Sequence, residues 1–393
     1  MSNHLDHTFL QSLFEKLHKL NPGITGLELY ELGYCLETLV PIEGWDALSL
    51  TTKQEIEALI SSRAFYESIQ LKPKRDGKLV LDSQVKRLNQ QLLAGLVNGA
   101  YPVEWINQHF YFDLRGFHFF HRTQYFNEGI LAHLGGSPYK RFAPLQQRFE
   151  SQMAVTYRQF KQANAEIDQC FMETLQKLVT FKGTPILVAI AGQTAAGKTE
   201  IVERLQAGFE ANGQSVTTIE MDHFLTDRDY REAHGIDSLG QQALHYELFK
   251  ACLADICLGK KITTPRYDFV AATSSHDLSG NLKDGCQPLE IEPADIIFIE
   301  GNFPFLLEEI AHLIGIKVAY LTDDPVRMKR KWWRDMDLRK KYDLAYFLNR
   351  YFREQFLMAE SAYRPQLALC DLLVDTTQAM LWATPEIQRL LES

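Results

Sequence analysis

The sequence has few cysteines, no long apolar run and no excess of positive charge. Its 393 residues include six scattered cysteines and no Cys-x-x-Cys pair, which indicates reduced thiols and argues against a disulfide-stapled fold. Lysine and arginine total 41, against 50 aspartate and glutamate residues. No nucleic-acid partner is expected from this balance, because duplex binding usually needs a basic face.

Signals for membrane insertion and secretion are also lacking. The most apolar stretch, Thr184 to Ala196, is short and interrupted by glycine, whereas a membrane-spanning helix needs about 20 apolar residues. The amino terminus has neither the basic start nor the apolar run of a signal peptide. These features predict a cytoplasmic protein with no membrane partner.

What the sequence does contain is enough apolar material for sizeable cores. Hydrophobic residues make up 46% and charged residues 23%, as in soluble globular proteins. At roughly 150 residues per domain, the length predicts two domains or three.

A change of pattern near residue 181 divides the chain into two predicted domains. Residues 1–180 are predicted to be mostly helical, since leucines recur at helical spacing from His7 to Leu20 and Thr52 with Glu55 forms a capping-box pattern. Residues 181–393 alternate short apolar strands with helices, which indicates an α/β fold with a parallel sheet flanked by helices. Strands are predicted over 186–191, 215–221, 296–299 and 316–321, helices over 144–179, 199–209 and 239–258, and a hairpin turn at Asp76-Gly77.

Aromatic residues and histidines are concentrated between residues 105 and 126. One interpretation is a metal site built from His118 and His121 with His133, or a stacking surface for a ligand base. The other is a core segment with amphipathic histidines at its edge, which we favour because no cysteine or carboxylate cluster completes a ligand set.

A phosphate-binding loop follows the first predicted strand of the second domain. The motif G-x-x-x-x-G-K-[ST] is formed by Gly192, Gln193, Thr194, Ala195, Ala196, Gly197, Lys198 and Thr199. Its glycines allow successive N–H groups to face an anion, the lysine adds a positive charge, and the threonine hydroxyl can ligate Mg²⁺. The helix that follows presents its positive end to the same phosphates. The motif predicts nucleotide binding.

Two carboxylates follow predicted strands of the same sheet. Asp222 comes after the second strand, where it can accept the proton of an attacking hydroxyl or hold Mg²⁺, or alternatively cap a helix. Glu300 ends the strand that begins at Ile296, where it can reach the Mg²⁺ shell or lie as a surface residue at a strand end. Because the carboxyl ends of parallel strands line a ligand crevice, we favour the functional interpretation of both.

The order of these motifs resembles the uridine kinase and phosphoribulokinase group of P-loop kinases, which takes in pantothenate kinases. The resemblance covers roughly residues 185–378 and implies a P-loop NTPase sheet, ATP, Mg²⁺ and a small-molecule hydroxyl acceptor. Related kinases often form oligomers, which leaves a homo-oligomer open. The matching segments are the phosphate-binding loop, Met221 to Phe224, Pro265 to Phe269, Glu300-Gly301 and the arginine-rich run Asp324 to Asp335.

The resemblance also implies residue roles. Asp222 is implied to be the catalytic base, and Arg330 and Arg334 belong to a lid that closes over the transferring phosphate. Their spacing with Arg327 on one helix side suits a shared target, although a solvated basic face is the alternative. The acceptor pocket is implied to contain Asp237, Tyr267 and Phe269.

Three positions depart from the uridine kinase pattern. Ala272 stands where a histidine contacts the base, and Ser274 stands where an arginine is usual. His276 could replace that histidine only with a displaced loop. The hinge glycine of the lid is absent from Arg339-Lys340-Lys341. The phosphoryl-transfer residues are therefore present, whereas the base-recognition set is not.

The leading hypothesis is an ATP-dependent kinase that phosphorylates a hydroxyl of a nucleoside-, sugar- or pantothenate-like acceptor. The alternative is a nucleotide-binding sensor whose amino-terminal domain binds a protein partner. A bare nucleotidase is a third hypothesis, and a lid that excludes water argues against it. The resemblance does not extend to residues 1–180, the predicted mostly helical domain.

Overall fold

A computed structural model of the chain describes residues 7–20, 28–69, 72–73, 79–80, 82–113, 118–143, 162, 164–236, 240–322, 326–327, 330–331, 333–338 and 356–393. The chain divides into two compact units. The first comprises Met1–Gln124 and Tyr342–Leu357, and the second comprises Tyr125–Lys341 and Met358–Ser393.

Helices dominate the first unit, as predicted. The first helix has the predicted bounds and buries the leucines of one face. The predicted capping box is present, because the Thr52 side chain accepts a hydrogen bond from the Glu55 amide while the Glu55 carboxylate accepts one from the Thr52 amide. The helices are α1 (His7–Leu20), α2 (Leu29–Leu36), α3 (Lys53–Ile60), α4 (Arg63–Ser68), α5 (Ser83–Asn98) and α6 (Val103–His109).

The first unit also contains two antiparallel hairpins. Strands β1 (Lys72–Pro73) and β2 (Leu79–Val80) pair around the predicted turn, whose Asp76-Gly77 lies outside the described residues. The aromatic-rich segment forms α6 and the hairpin of β3 (Phe110–Asp113) and β4 (His118–His121).

Three aromatic side chains of that segment are core residues. Trp105, Phe110 and Phe119 are all buried, as expected for the core interpretation. Within the described ranges, no group of three His, Cys, Asp or Glu side chains is placed to hold a metal ion. Likewise, no helix in those ranges is both long enough and apolar enough to cross a membrane.

The second unit is built on a seven-stranded, mostly parallel sheet with the order β5-β15-β14-β13-β6-β12-β7, as the α/β prediction requires. Strands β7, β12, β6, β13 and β14 run parallel, and β15 and β5 continue the sheet antiparallel. The strands are β5 (Lys140–Arg141), β6 (Ile186–Ala191), β7 (Val216–Glu220), β12 (Ile296–Gly301), β13 (Ile316–Leu321), β14 (Leu372–Asp375) and β15 (Met380–Ala383). Two smaller antiparallel pairs are β8 (Ile262–Thr264) with β11 (Leu289–Ile291), and β9 (Tyr267–Asp268) with β10 (Thr273–Ser274).

Both faces of this sheet are covered, which explains its continuous apolar strands. In β6, alternate residues enter two different cores: Leu187 packs in one and Val188 in the other. Phe249 contributes to the first core, and Phe171 and Leu205 contribute to the second. The helices are α7 (Glu128–His133), α8 (Ala165–Lys182), α9 (Lys198–Ala211), α10 (Arg228–Ala233), α11 (Tyr246–Cys257), α12 (Glu308–Ala311), α13 (Arg364–Leu367) and α14 (Pro385–Glu392).

The compact unit begins earlier than the predicted domain junction at residues 180–181. Strand β5 adds to the edge strand β15, and the ring of His133 donates from Nε2 to the Cys370 carbonyl oxygen over 2.8 Å. Helix α8 supplies Phe171 and Leu175 to the core beneath the sheet. These long-range contacts attach His133, β5 and the helix Ala165–Lys182 to the α/β unit, and no local sequence pattern signals them.

Most predicted elements of this unit are found close to their predicted bounds. Two helices differ. The helix predicted over 239–258 begins at Tyr246, after a 3₁₀ turn from Gln241 to Ala243. Gly240, at φ +106°, has a backbone conformation incompatible with a continuous helix. The helix predicted over 144–179 is described as α8, from Ala165 to Lys182, and residues 144–161 and 163 lie outside the described ranges.

Candidate active site

The predicted phosphate-binding loop joins the carboxyl end of β6 to the amino terminus of α9. Ala195 has φ +62° and Gly197 has φ +101°, and such left-handed turns direct consecutive N–H groups toward one point. A Cβ atom at Gly192 would lie 2.7 Å from the Tyr320 carbonyl oxygen. Glycine is therefore required there, and the loop has the backbone geometry that an anion cradle needs.

Lys198 is half-buried at the start of α9. Its ammonium group donates to the Gln193 carbonyl oxygen over 3.3 Å. Burial lowers the pKa of Lys198, while the negative charges of Glu300 and Asp222 oppose that change. The lysine and the two predicted carboxylates therefore act on one another electrostatically.

Thr199 and Glu300 form a direct pair beside this lysine. The Thr199 hydroxyl donates to Glu300 Oε1 over 2.9 Å. The other carboxylate oxygen, Oε2, is buried with no hydrogen-bond partner among the described residues. Burial raises the pKa of Glu300 to about 7, against the attraction of Lys198. Glu300 is only 7% exposed, which contradicts the surface interpretation.

Asp222 lies at the end of the neighbouring strand. It is exposed within a 3₁₀ turn, Met221–Phe224, that directly follows β7. Its position inside this turn differs from the helix-capping alternative. Strand β7 is hydrogen-bonded to β12 with Glu220 opposite Glu300, so Asp222 lies near Glu300. This places a solvent-accessible carboxylate beside a buried one.

Three arginines of the predicted lid contact the phosphate-binding loop. The Arg327 and Arg330 guanidinium groups donate to the carbonyl oxygens of Thr194 and Ala196, over 3.3 Å and 3.2 Å. The Arg334 guanidinium donates to the Thr194 hydroxyl over 3.0 Å. All three therefore converge on the loop, as a shared target predicts and a solvated basic face does not.

The charge of Arg330 interacts with a buried carboxylate, Asp168, that sequence analysis missed. Burial lowers the pKa of Arg330 to about 10, and the negative charge of Asp168 opposes that change. Asp168 is fully buried, is paired with Arg204, and accepts a hydrogen bond from the Tyr320 hydroxyl over 3.1 Å. Burial raises the pKa of Asp168 to about 6. An acidic residue on the apolar face of α8, three residues before Phe171, is the signal that could have indicated it.

A second missed residue, Tyr125, contacts the loop from upstream. Its hydroxyl donates to Gln193 Oε1 over 2.6 Å. Gln193 is 2% exposed, and its Nε2 group is buried without a hydrogen-bond partner among the described residues. The Tyr125 ring also packs edge-on against Tyr363. Nothing in the local sequence around Tyr125 predicts this contact with a loop 68 residues away.

The predicted acceptor residues are connected to Asp222 through His223. The Tyr267 amide donates to His223 Nδ1 over 3.1 Å, and the Phe269 ring packs against both the His223 and Tyr267 rings. Tyr267 is buried and Phe269 is half-buried. Asp237 lies outside the described residues, so its predicted role stays a prediction.

Ser274 and His276, two residues of the segment that departs from the uridine kinase pattern, belong to a polar network, whereas Arg339-Lys340-Lys341 lies outside the described residues. His245 Nε2 lies 3.0 Å from the Ser274 hydroxyl, and His276 Nδ1 lies 2.8 Å from the Ser275 hydroxyl. Burial lowers the pKa of both histidines, for His245 to about 4. Ala272, at φ +61°, is buried beside them. His276 is therefore held in a network of its own.

Comparison with known proteins places this geometry in a family. Residues 187–380 match the model of the phosphoribulokinase/uridine kinase family. The uridine kinase of Brevibacillus brevis is 30% identical over 160 residues, which are 40% of this chain and 69% of that protein. The uridine kinase of Lactobacillus helveticus is 27% identical over 48% of this chain and 86% of that protein. The solved D-glycerate 3-kinase of Cryptococcus neoformans is 13% identical, with a TM-score of 0.38 over 55% of this chain and 97% of that chain.

The match coincides with the elements that carry the site. It begins within β6, ahead of the phosphate-binding loop, and it includes Asp222, Glu300 and the arginine-rich segment. The segment around Tyr125 and helix α8 lie upstream of it. The chain therefore belongs to the phosphoribulokinase/uridine kinase family and is a small-molecule kinase, a phosphotransferase with a hydroxyl group as acceptor.

Proposed function

We propose that the protein transfers the γ-phosphate of Mg²⁺-ATP to a hydroxyl of a nucleoside-, sugar- or pantothenate-like acceptor. The observation that carries the proposal is the cluster of Lys198, Thr199 and Glu300 with the exposed carboxylate of Asp222 beside it. This combination offers a phosphate-binding cation, an oxygen donor set and a proton acceptor within one electrostatic neighbourhood.

Each side chain has a role that suits its surroundings. Lys198 and the loop amides bind the phosphates of ATP, and burial strengthens these charge interactions. Asp222, which is exposed, accepts the proton of the acceptor hydroxyl as its oxygen attacks the γ-phosphorus. The bond from that phosphorus to the bridging oxygen breaks, and ADP leaves with its electron pair.

The residues present fit a magnesium ion. Mg²⁺ prefers oxygen ligands and commonly binds one or two carboxylates together with substrate phosphates. The Glu300 carboxylate has an unpartnered buried oxygen, and the Thr199 hydroxyl lies against the other oxygen. Thr199 and Glu300 would hold the ion, which when bound neutralises negative charge on the phosphate oxygens.

The lid arginines complete the proposed site. Arg330 and Arg334 lie against the phosphate-binding loop, where a guanidinium group can contact the transferring phosphoryl group and offset charge in the transition state. Contacts of this kind also exclude water from the site, which favours transfer over hydrolysis.

The test is acceptor-dependent ADP release from Mg²⁺-ATP, measured for wild type, Asp222→Asn and Lys198→Ala. The panel contains nucleosides, pantothenate, glycerate and sugar phosphates. Asp222→Asn should bind ATP normally and lose about 10²- to 10⁴-fold in turnover, while Lys198→Ala should lose ATP binding. The exposed Asp229→Asn variant of α10 is the matched control and should retain wild-type turnover.

Two outcomes would contradict the proposal. Wild-type turnover by Asp222→Asn would remove the proposed base. ATP binding that changes the protease sensitivity of residues 1–124, without turnover on any acceptor, would instead favour the nucleotide-sensor hypothesis.

A further inference from the structure

A buried arginine beside the predicted acceptor residues has no counter-ion among the residues that the structure describes. Arg231, on α10, is 3% exposed. Its guanidinium donates to the Thr226 carbonyl oxygen and, over 3.2 Å, to the Tyr267 hydroxyl. The guanidinium carbon also lies 5.8 Å from the centre of the Tyr267 ring. All these partners are neutral, and no described carboxylate forms an ion pair with Arg231.

A second guanidinium lies one turn earlier on the same helix. Arg228 and Arg231 are three residues apart, so their side chains lie on the same side of α10. The Nε group of Arg228 is buried with no hydrogen-bond partner, and its guanidinium forms no ion pair within the described part of the chain. The Arg228 amide donates to the Ala272 carbonyl oxygen over 3.0 Å.

The adjacent carboxylate already has a partner. Asp227 accepts two hydrogen bonds from the Lys283 ammonium, over 3.0 Å and 2.8 Å, and another from the Ser274 amide. These contacts lower the pKa of Asp227, against the effect of its burial. Asp227 is therefore ionised and committed to Lys283, so it does not neutralise the two arginines.

The two arginines lie on the acceptor side of the site. Arg231 contacts Tyr267, whose amide in turn donates to His223, the residue next to Asp222. The Arg228 backbone amide donates to the carbonyl oxygen of Ala272, the position where the uridine kinase pattern has a base-contacting histidine. Ala272 therefore takes the position of the base-contacting histidine, and its carbonyl oxygen is bonded to the first residue of the helix that carries both arginines.

We infer that Arg228 and Arg231 bind an anionic group of the acceptor, a phosphate or a carboxylate, at the end remote from the hydroxyl that is phosphorylated. A buried charge is normally paired, because an unpaired one carries a large desolvation cost. A guanidinium group presents planar donors that match both carboxylate and phosphate oxygens. The inference rests on the proposed kinase function, and it selects anionic sugar or hydroxy-acid acceptors over neutral nucleosides.

The test uses probes that differ in a single group. The pairs are glycerol with glycerate or glycerol 3-phosphate, ribose with ribose 5-phosphate, and panthenol with pantothenate. Binding is measured by titration calorimetry, and turnover by ADP release. In at least one pair the anionic member should bind wild type about tenfold or more tightly than its neutral counterpart. Comparison of the phosphate and carboxylate probes identifies which anion the site takes.

Variants of Arg228 connect that preference to the site. Arg228→Gln should weaken binding of the preferred anion by about 10- to 100-fold, the range expected for hydrogen bonds to a charged group, and leave ATP affinity and neutral probes unchanged. Arg228→Lys should restore part of the loss. Arg389→Gln, which removes an exposed arginine from α14, should leave both the anion affinity and the ATP affinity unchanged. Arg231→Lys tests the buried position with its charge retained and should also weaken anion binding.

The outcomes separate this inference from the kinase proposal. Anion-selective binding that Arg228→Gln abolishes, without ADP release, would overturn the kinase proposal and leave the anion site standing. Turnover of neutral acceptors that is unaffected by Arg228→Gln would overturn the anion site alone. Equal affinity for both members of every pair, or equal losses for both in Arg228→Gln, would also overturn it.

Discussion

Replacement of Glu300 by glutamine should change how the stability of the protein depends on pH. The folded protein holds the Glu300 proton up to about pH 7, because burial raises the pKa from its ordinary value of 4.5. The unfolded chain releases that proton near pH 4.5. The folded state therefore binds more protons between these two values, so its free energy of unfolding falls as pH rises through this window.

The size of the effect follows from the same pKa change. Each pKa unit corresponds to about 1.4 kcal/mol, so the full loss for Glu300 is about 3 kcal/mol and most of it falls between pH 5 and pH 8. The Glu300→Gln variant has no proton to release and lacks this loss. The free energy of unfolding of the variant minus that of wild type should therefore increase by about 2 to 3 kcal/mol from pH 5 to pH 8. This increase does not depend on the size of the difference at pH 5.

The assay is urea unfolding of the nucleotide-free protein, followed by tryptophan fluorescence from pH 5 to pH 8. Glu203→Gln, which removes an exposed carboxylate from α9, is the control and should give a curve parallel to that of wild type. Parallel curves for Glu300→Gln and wild type would refute the reasoning. Addition of Mg²⁺ and ADP at pH 8 should stabilise wild type far more than Glu300→Gln, since an ionised carboxylate binds the cation.

Two further substitutions test the loop itself. Gly192→Ala should lower the free energy of unfolding by about 1 to 3 kcal/mol and weaken ATP binding at least tenfold, because its Cβ would meet the Tyr320 carbonyl oxygen at 2.7 Å. Gly129→Ala, whose Cβ would make only an ordinary 3.5 Å contact, should leave both measurements unchanged, and equal effects from the two would contradict the steric reasoning. Tyr125→Phe should cost about 1 to 2 kcal/mol in urea unfolding and weaken ATP binding several-fold, since it leaves the Gln193 carboxamide oxygen buried and unpaired. Tyr139→Phe, on the same upstream segment, is its control, and an unchanged ATP affinity in Tyr125→Phe would show that Gln193 does not depend on this contact.

The parts of the site that the sequence predicts are those encoded within a few residues of one another. The loop from Gly192 to Thr199 carries its own backbone requirements, and the strand before it is recognisable from its apolar run. Asp222 and Glu300 are predictable because each directly follows or ends such a strand, and a parallel sheet brings those ends to one edge. The positions of both carboxylates follow from the local sequence, whereas the hydrogen bond from Thr199 to Glu300 joins residues 101 positions apart.

The parts that sequence analysis missed depend on contacts between distant segments. Tyr125 contacts Gln193 across 68 residues, and Asp168 meets Tyr320 across 152 residues. Strand β14, Leu372–Asp375, was also missed, because periodicity alone does not distinguish a short apolar run in a strand from one in a helix. That no described carboxylate pairs with Arg231 could not be anticipated either, because it depends on which side chains the fold places nearby.

The two-residue strand β5 has a consequence for how the protein can be divided. It covers part of the outer edge of β15, and an uncovered strand edge is a template for self-association. A polypeptide trimmed to the family match, 187–380, would lose β5, most of β15 and the whole of α8. It would expose the core residues that pack against Phe171 of α8, and it would also leave the edge of the sheet open. Both exposures favour aggregation. A shortened chain therefore needs β5, α8 and α14 to keep this sheet edge and this core covered.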